Sequence, residues 1–526
     1  MYRVLITGAI HKTGVERLSE EPDLEVNFQP DLPIAEILKI IAPYHCIITR
    51  SETPIQKELI DCAPELKVIA RAGVGIANID VDYATRKGIL VMNTPGKNTN
   101  SAAELAMGLL LAVVRKITSA HQTMQQKGWD RHRYAGVELM GKTIGIIGLG
   151  NVGHRMARFC RGFEMRVLAY DPYIPDEVFE RHNVEKSDWD TLIRESDIIS
   201  VHVPKNEETT GMINVDAITE MKQGVILINA ARGGIVDEAA LLAALKSGQV
   251  AGAGIDTWDT EPPPDNPFSD IPQVVMTPHI GASTPEAQIR IAEAIAVQVP
   301  RALRGGIVDC PVNMPQIRVL EGDLMTSYTV LAEKLGAFAF QLMNITLTHL
   351  EILYRGYIAK HDCTLLRLAF LKGYLKDMLD YVSYVNAEQR AQSIGLHINS
   401  LDDPGFTDYE SAVEYVFSDK DHNFRIGGVV FKGPHPRISL VDDFEYEIEP
   451  EGTFLAIRSK DRLGVVGAIA STLDRNNILI NSFEFSHHQQ RKRSMFLIRV
   501  VKDVSDEVIE ELESQEHIIF ARKIRI

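Results

Sequence analysis

The sequence predicts an α/β fold over roughly its first 300 residues, then an α+β region and a small β-α-β-β-α-β unit. Three observations predict it. Short apolar runs alternate with helix-period stretches from the first residue to about residue 281. One run, TIGII, leads into the glycine-spaced stretch GLGNVG and then into a helical pattern. The segment from about 452 to 526 reads strand, helix, two strands, helix, strand, which is the ferredoxin-like order.

Taken in order, residues 1–97 hold the strand-like runs RVLITG, LEVNFQ, CIITR, LKVIARAG and ILVMNT, with helical patterns such as LPIAEILKII between them. No glycine-rich phosphate loop occurs among these. A long helix, SAAELAMGLLLAVVRKI, leads into the second set of strands: TIGIIG, RVLAYD, IISVHV, VILINA and AGAGID. A further apolar helix is predicted over 286–303, and GGIVDCPVNMP after it has the Gly and Pro of a linker. From about 315 to 447 helical periodicity dominates, in LMTSYTVLAEKLGAFAFQLM and LLRLAFLKGYLKDMLDYVSYVNAEQRAQSIG, with strand-like runs at LTHLEILY and RIGGVVF. Here Lys432 and Arg437 flank the turn GPHPR and make a candidate anion site. The run SHHQQRKRS, at 486–494, reads as a basic hairpin tip.

A length of 526 residues spans three to five domains at roughly 100–200 residues each. The net charge of −16 argues against nucleic acid and anionic membrane surfaces as partners. The five cysteines are odd in number, widely spaced and without a CxxC, which fits a reducing, cytoplasmic setting and no metal site. MYRVLITGAI reads as a first strand rather than a signal peptide. No apolar run is long enough to span a membrane.

The glycine-spaced stretch is the sharpest signal. Gly148, Gly150 and Gly153 follow a strand and open a helix, and the next strand ends in Asp171. Glycines let a pyrophosphate approach the backbone, and the helix N-terminus offers free N–H groups. Asn151 and Val152 stand between the glycines as further cofactor contacts. Asp171 would accept hydrogen bonds from ribose hydroxyls and repel a 2′-phosphate, so the expected cofactor is NAD.

Three later stretches place side chains after strands of the same sheet: Arg232 in NAARGGIVDE, Asp256 and Glu261 in AGAGIDTWDTEPP, and His279 in VVMTPHIGAST. Carboxyl ends of such strands line the ligand crevice. Oxidising a secondary alcohol leaves a proton that needs a base, and imidazole titrates near neutrality. A carboxylate at Glu261 would stabilise the imidazolium. Arg232 offers a planar fork for a carboxylate or α-keto acid.

The order GxGxxG, NAARGGIVDE, EPP, PHIGAST resembles the D-2-hydroxyacid dehydrogenase family over roughly residues 1–310. The resemblance implies a Rossmann-type NAD domain at 98–281 inserted into a flavodoxin-like substrate domain made of 1–97 and 282–308. It implies His279, Glu261 and Arg232 as the catalytic set, and Asp256 beside the nicotinamide carboxamide. It further implies substrate contacts from Arg50, Ser51, Arg71, Gly73, Val74, Gly75 and Asn98. Arg50 and Arg71 would supply positive charge for a small anionic substrate. Ala77 stands where the family has Asp, although Asn78 and Asp80 match. Arg131 and Arg133 lie on an arm that in some relatives crosses to a second copy, so a homodimer or homotetramer is expected, with Arg131 reaching the neighbouring substrate.

Residues 452–526 resemble an ACT domain, a small-ligand sensor. Leu463 stands where that family has Pro, and Leu479 where an Asn is common in serine-binding members. The expectation is therefore that serine inhibition is weak or absent, or that another small ligand is sensed. Residues 309–447 resemble the intervening domain of the long, phosphoglycerate-oxidising branch of the dehydrogenase family. The whole order implies NAD-dependent oxidation of 3-phosphoglycerate to 3-phosphohydroxypyruvate, the first step of serine biosynthesis. Two alternatives stay open: another 2-hydroxy acid as substrate, or a non-catalytic NAD-sensing regulator.

Overall fold

The computed structural model describes residues 1–306, 308–314, 323–343, 348–406, 408–419, 423–431, 435–488, 490 and 492–526. The first five apolar runs form β1 (Tyr2–Ile6), β2 (Leu24–Phe28), β3 (Cys46–Thr49), β4 (Val68–Arg71) and β5 (Leu90–Met92). They pair in parallel in the order β2-β1-β3-β4-β5, the flavodoxin-like arrangement. Their continuous apolar runs follow from burial on both faces. One face is covered from far along the chain. Ile291, Ile295, Ala296, Val299 and Leu303 of the helix Pro285–Leu303 pack with Val4, Ile6, Ile48 and Ala70.

Between these parts lies a second parallel sheet of β6 (Thr143–Ile147), β7 (Arg166–Tyr170), β8 (Glu185–Lys186), β9 (Ile198–Val201), β10 (Val225–Asn229), β11 (Val250–Ile255) and β12 (Val274–Met276). Its order is β12-β11-β10-β9-β6-β7-β8, with the switch point between β6 and β9. The helix Thr99–Val114 lies against β11. A β-carbon on Gly252 would sit 2.7 Å from Val113, and one on Gly254 2.9 Å from Leu109. The small residues of AGAGI are therefore what lets this helix approach the strand.

The middle region departs from the helical reading. The helix Thr364–Leu375 ends early, and KDMLDYVSYVN after it is turn until Ala387–Ser393. Six strands form a mixed sheet: β13 (His349–Gly356), β14 (His397–Asp403), β15 (Ser411–Ser418), β16 (Asn423–Phe431), β17 (His435–Val441) and β18 (Phe444–Ile448), ordered β14-β13-β15-β16-β17-β18. The helices Asp323–Met343 and Thr364–Leu375 pack at two glycines: a β-carbon on Gly336 would stand 2.1 Å from Phe370 O, and one on Gly373 1.9 Å from Glu333 O. Phe370 stacks on Tyr415 at 3.5 Å between ring centroids. Lys432 lies outside the described residues. Arg437 is paired with Glu449 at 2.9 Å, so its charge is already answered within the chain. Gln489 and Arg491 of the basic run also lie outside the described residues.

The final unit has β19 (Thr453–Lys460), β20 (Ile480–His488), β21 (Arg493–Val500) and β22 (Ile518–Arg525), antiparallel in the order β20-β21-β19-β22. Leu455, Ile457, Phe496 and Ile498 face the helices Val465–Arg475 and Asp506–Glu513. The alternate residues Phe454, Ala456, Met495, Leu497 and Ile524 enter the core of the middle region with Tyr328 and Phe338. Gln341 seals this join: its Nε2 donates to Arg525 O at 3.0 Å, and its Oε1 accepts from Arg525 N at 2.9 Å. Phe454→Ala should therefore destabilise the middle region as well as the last sheet, by about 3–5 kcal/mol. Chemical denaturation followed at the aromatic chromophores of 323–448 checks this; an unchanged middle region would contradict the shared core.

Candidate active site

The glycine turn after β6 is shaped by steric necessity at two positions. Gly148 has φ +89°, and a β-carbon there would meet Val203 at 2.7 Å. A β-carbon on Gly153 would lie 2.0 Å from Gly148 O, so the helix can start only with glycine. Gly150, by contrast, is exposed with nothing within 4 Å of its β-carbon position, which leaves open space above the turn. The helix Gly153–Gly162 has no side-chain cap; His154 N closes on Gly150 O at 3.1 Å, and the N–H groups of the turn before it are the ones left for a ligand. Asp171 at the end of β7 accepts from Leu149 N at 3.0 Å and Tyr173 N at 3.1 Å, which fixes its carboxylate beside the turn. Open space, free N–H groups and a carboxylate at the ribose position fit NAD.

His202 follows β9 directly beneath this turn. Its Nε2 lies 2.9 Å from Ser200 Oγ, and desolvation pushes its pKa down from 6.5 to about 4.

The predicted catalytic residues converge. His279 Nδ1 lies 2.7 Å from Glu261 Oε2. A carboxylate only accepts, so in the neutral ring Nδ1 carries the proton and Nε2 is the nitrogen with the lone pair. Glu261 is held through its other oxygen by Trp258 N at 3.1 Å. Both side chains are partly exposed to the cleft. His279 has a left-handed backbone, φ 54°. The loop that imposes this is braced by Asp256, which is 1% exposed. Asp256 Oδ1 accepts from Thr277 Oγ1 at 2.6 Å and Ile280 N at 2.8 Å, and its Oδ2 accepts from Gly281 N at 3.0 Å. Burial raises the Asp256 pKa against the pull of these bonds. In this structure Asp256 thus anchors the loop that carries His279.

Arg232 sits in the turn after β10. Asn229 holds that turn, accepting from Ala231 N at 3.1 Å and donating to Arg232 O at 3.0 Å. Gly233 is obligatory there, since a β-carbon would fall 1.8 Å from Trp258 O. The guanidinium of Arg232 reaches across to the first sheet, 3.5 Å from where a β-carbon on Gly75 would stand.

On the facing side, Arg71 at the end of β4 is 8% exposed. Burial first, then the charges of Arg50 and Arg232, push its pKa down to about 10. Arg50 Nη1 donates to Ala9 O at 3.0 Å and to Gln288 Oε1 at 3.4 Å. Among the described residues none of Arg50, Arg71 and Arg232 forms an ion pair, and the Nε atoms of Arg50 and Arg71 are buried without a partner. The turn Gly73–Gly75 is held by its carbonyls: Gly73 O accepts from Thr94 N at 3.0 Å and Val74 O from Asn93 Nδ2 at 2.8 Å. Asn78 Nδ2 ties the Arg50 and Thr53 carbonyls, at 2.8 and 2.7 Å. Asp80 caps the next helix through Tyr83 N at 2.9 Å. Ser51 is exposed on the rim, and Asn98 stands before the helix Thr99–Val114 without capping it. Arg131 is exposed, and no hydrogen bond or ion pair among the described residues ties it to the cleft.

Sequence reasoning missed Gln288, Asn229 and Trp258. Nothing in their spacing marks them, because each acts by holding another residue. The signal lay only in their nearness to strand ends or to the returning helix.

A family model described as D-isomer specific 2-hydroxyacid dehydrogenase, NAD binding domain, matches residues 107–281. Another, described as the D-3-phosphoglycerate dehydrogenase intervening domain, matches 324–442. A D-3-phosphoglycerate dehydrogenase from Archaeoglobus fulgidus is 36% identical over 528 residues, 100% of both chains. One from Methanocaldococcus jannaschii is 37% identical over 516 residues, 98% of each. The TT0316 protein from Thermus thermophilus is 35% identical, with a TM-score of 0.54 over 59% of this chain and 99% of its own. Fold, cleft and matches together define an NAD-dependent dehydrogenase of the 2-hydroxyacid type. Within that class the chain belongs to the D-3-phosphoglycerate dehydrogenase family.

His202 gives a pH prediction. Its folded pKa is depressed, so the unfolded chain binds a proton between pH 6.5 and about 4 that the folded chain does not. Stability should fall as pH drops through that window, by up to about 3 kcal/mol from this group. Denaturant titrations at stepped pH should show a flatter acid limb in His202→Asn than in the parent.

Proposed function

We propose that the protein oxidises 3-phosphoglycerate to 3-phosphohydroxypyruvate with NAD, feeding serine biosynthesis. The observation that carries this is the set of three unpaired guanidinium groups, Arg50, Arg71 and Arg232, around the turn Gly73–Gly75 and facing the His279–Glu261 pair. Three buried or half-buried cations need anionic partners. A substrate with a carboxylate and a phosphate supplies them better than lactate or glyoxylate, which carry one anionic group. The names of the full-length relatives point the same way.

NAD, when bound at the Gly148–Gly153 turn, supplies the hydride acceptor. Arg232 holds the substrate carboxylate together with the backbone N–H groups of Val74 and Gly75. Arg50 and Arg71, with Ser51, take the phosphate end, and Asn98 contacts the substrate near the nicotinamide. His279 Nε2 accepts the hydroxyl proton, and Glu261 keeps the ring oriented and stabilises the imidazolium. Asp256 keeps the His279 loop in place beside the nicotinamide.

The C-terminal unit fits an ACT-type sensor. Leu463 is fully exposed and Leu479 is 67% exposed, so each presents a methyl-covered surface where a polar effector would need a partner. We infer weak or absent inhibition by serine; marked inhibition at millimolar serine would overturn that. Trp129, 80% exposed, together with Ile117, Met124 and Met140, gives the 115–140 arm an apolar surface suited to a second copy. A homodimer or tetramer, with Arg131 carried to the neighbouring cleft, accounts for it. Five free cysteines, three of them buried, fit a cytoplasmic setting.

The test is NADH formation with 3-phosphoglycerate. His279→Ala should lower kcat about 10²–10⁴-fold, the usual size of a general-base effect. Arg71→Ala should raise KM for 3-phosphoglycerate more than for an unphosphorylated 2-hydroxy acid. Equal turnover of both substrate types by the parent would overturn the phosphate assignment.

A further inference from the structure

A second group of unanswered cations lies outside the cleft, at the hinge where the chain passes between the two parallel sheets. A cavity of about 300 Å³ opens between the crossing segment 96–100, the first turn of the helix Gly153–Gly162, and the returning helix Pro285–Leu303. Each of the three pieces contributes a cation: Lys97, Arg155 and Arg290. Among the described residues no carboxylate lines the cavity; the other polar groups are hydroxyl, amide and imidazole, including Thr99, Asn151 and His154.

The charges are not paired elsewhere. Among the described residues Lys97, Arg155 and Arg290 form no ion pair. Arg155 Nε is buried without a hydrogen-bond partner. Arg290 Nε donates to Lys97 O at 3.0 Å, which ties the lysine loop to the helix; among the described residues the rest of the guanidinium has no hydrogen bond. The neighbouring His182, stacked on His154 at 4.6 Å, has its pKa lowered by burial and then by His154 and three arginines, Arg155 among them. The local field is therefore positive on a chain whose net charge is −16. Three like charges around one cavity repel each other, and an oxyanion between them removes that repulsion and forms charge-assisted hydrogen bonds.

We propose that this hinge cavity binds a phosphate dianion, free or as a small phosphomonoester, separately from the catalytic cleft. Arg290 belongs to the helix that packs on the first sheet, and Arg155 to the helix that opens the second. A dianion held by both clasps the two lobes together across the point where the chain crosses between them. The same phosphate chemistry could come from the pyrophosphate of the cofactor, because Asn151 lies on the glycine turn, so the test separates these two sources.

Inorganic phosphate is titrated calorimetrically into the intact protein, with and without saturating NADH. Two sites per chain are expected, one in the cleft and one at the hinge. Arg71→Ala should remove the first and Lys97→Gln/Arg155→Gln the second, while NADH affinity in the double variant stays within about twofold of the parent. Arg290 is left intact because it positions the 97 loop. If the double variant does not fold, Lys97→Gln alone, at an exposed side chain, should weaken the hinge site by about threefold or more and flatten its salt dependence. Phosphate binding unaltered by these changes overturns the proposal. So does loss of the hinge site on adding NADH, or a roughly tenfold weaker NADH affinity in the double variant; either would assign the cations to the cofactor.

Discussion

The chain crosses between its two parallel sheets twice, and most of the catalytic half depends on those crossings lying side by side. Ser101 Oγ and Thr284 Oγ1 meet at 2.7 Å where the outgoing and returning segments pass. The helix Pro285–Leu303 must return because the first sheet has a bare face without it. That return places His279 only a few residues before the helix, at the mouth between the lobes. The cleft is thus a consequence of one sheet being completed from some two hundred residues away in sequence.

Electrostatics within the cleft runs opposite to the whole molecule. Arg71 is almost fully buried with two further arginines near it; the charge of Glu52 offsets them only in part, and among the described residues Arg71 forms no ion pair. Such an arrangement costs folding stability, and it persists because rigid loops over-determine it: Asn78 pins the Arg50 segment, Asn93 and Thr94 pin the glycine turn, and Gln288 steadies Arg50. Asp256 accepts three hydrogen bonds from the opposite loop. Both walls are therefore set before any ligand arrives, and little reorganisation remains for binding to drive.

Most strands of the first two sheets were legible because parallel, doubly buried strands are continuous apolar runs bounded by turn residues. The site was legible for a related reason: chemistry-bearing residues stand directly after such runs, as Arg232 does after VILIN and Asp171 after RVLAY. The helical spacing of the middle region overstates its helix content. LLRLAFLKGYL is a helix, but the apolar spacing of LDYVSYVN continues past its end in turns that pack against the same core. The strands SAVEYVFS and HPRISLV stand within a few residues of a strand each pairs with, and neither stood out beside the stronger helical period of the neighbouring stretches. The bracing residues were invisible, because an Asn or Gln that holds a neighbouring carbonyl has no spacing rule. Asp256 shows the limit from the other side: its position was legible, but its three hydrogen bonds to the 277–281 loop were not.

The last sheet offers two apolar faces, one to its own helices and one to the middle region through Phe454, Met495 and Leu497. Modules that recur in many architectures are commonly exchanged as self-sufficient pieces. Here 323–448 and 453–526 share an interior, since Phe454, Met495 and Leu497 complete the core of the middle region. A lineage that discarded only the terminal seventy-odd residues would inherit an oily surface on the part it kept. Shortening of this enzyme is thus constrained to happen in one large step rather than two small ones.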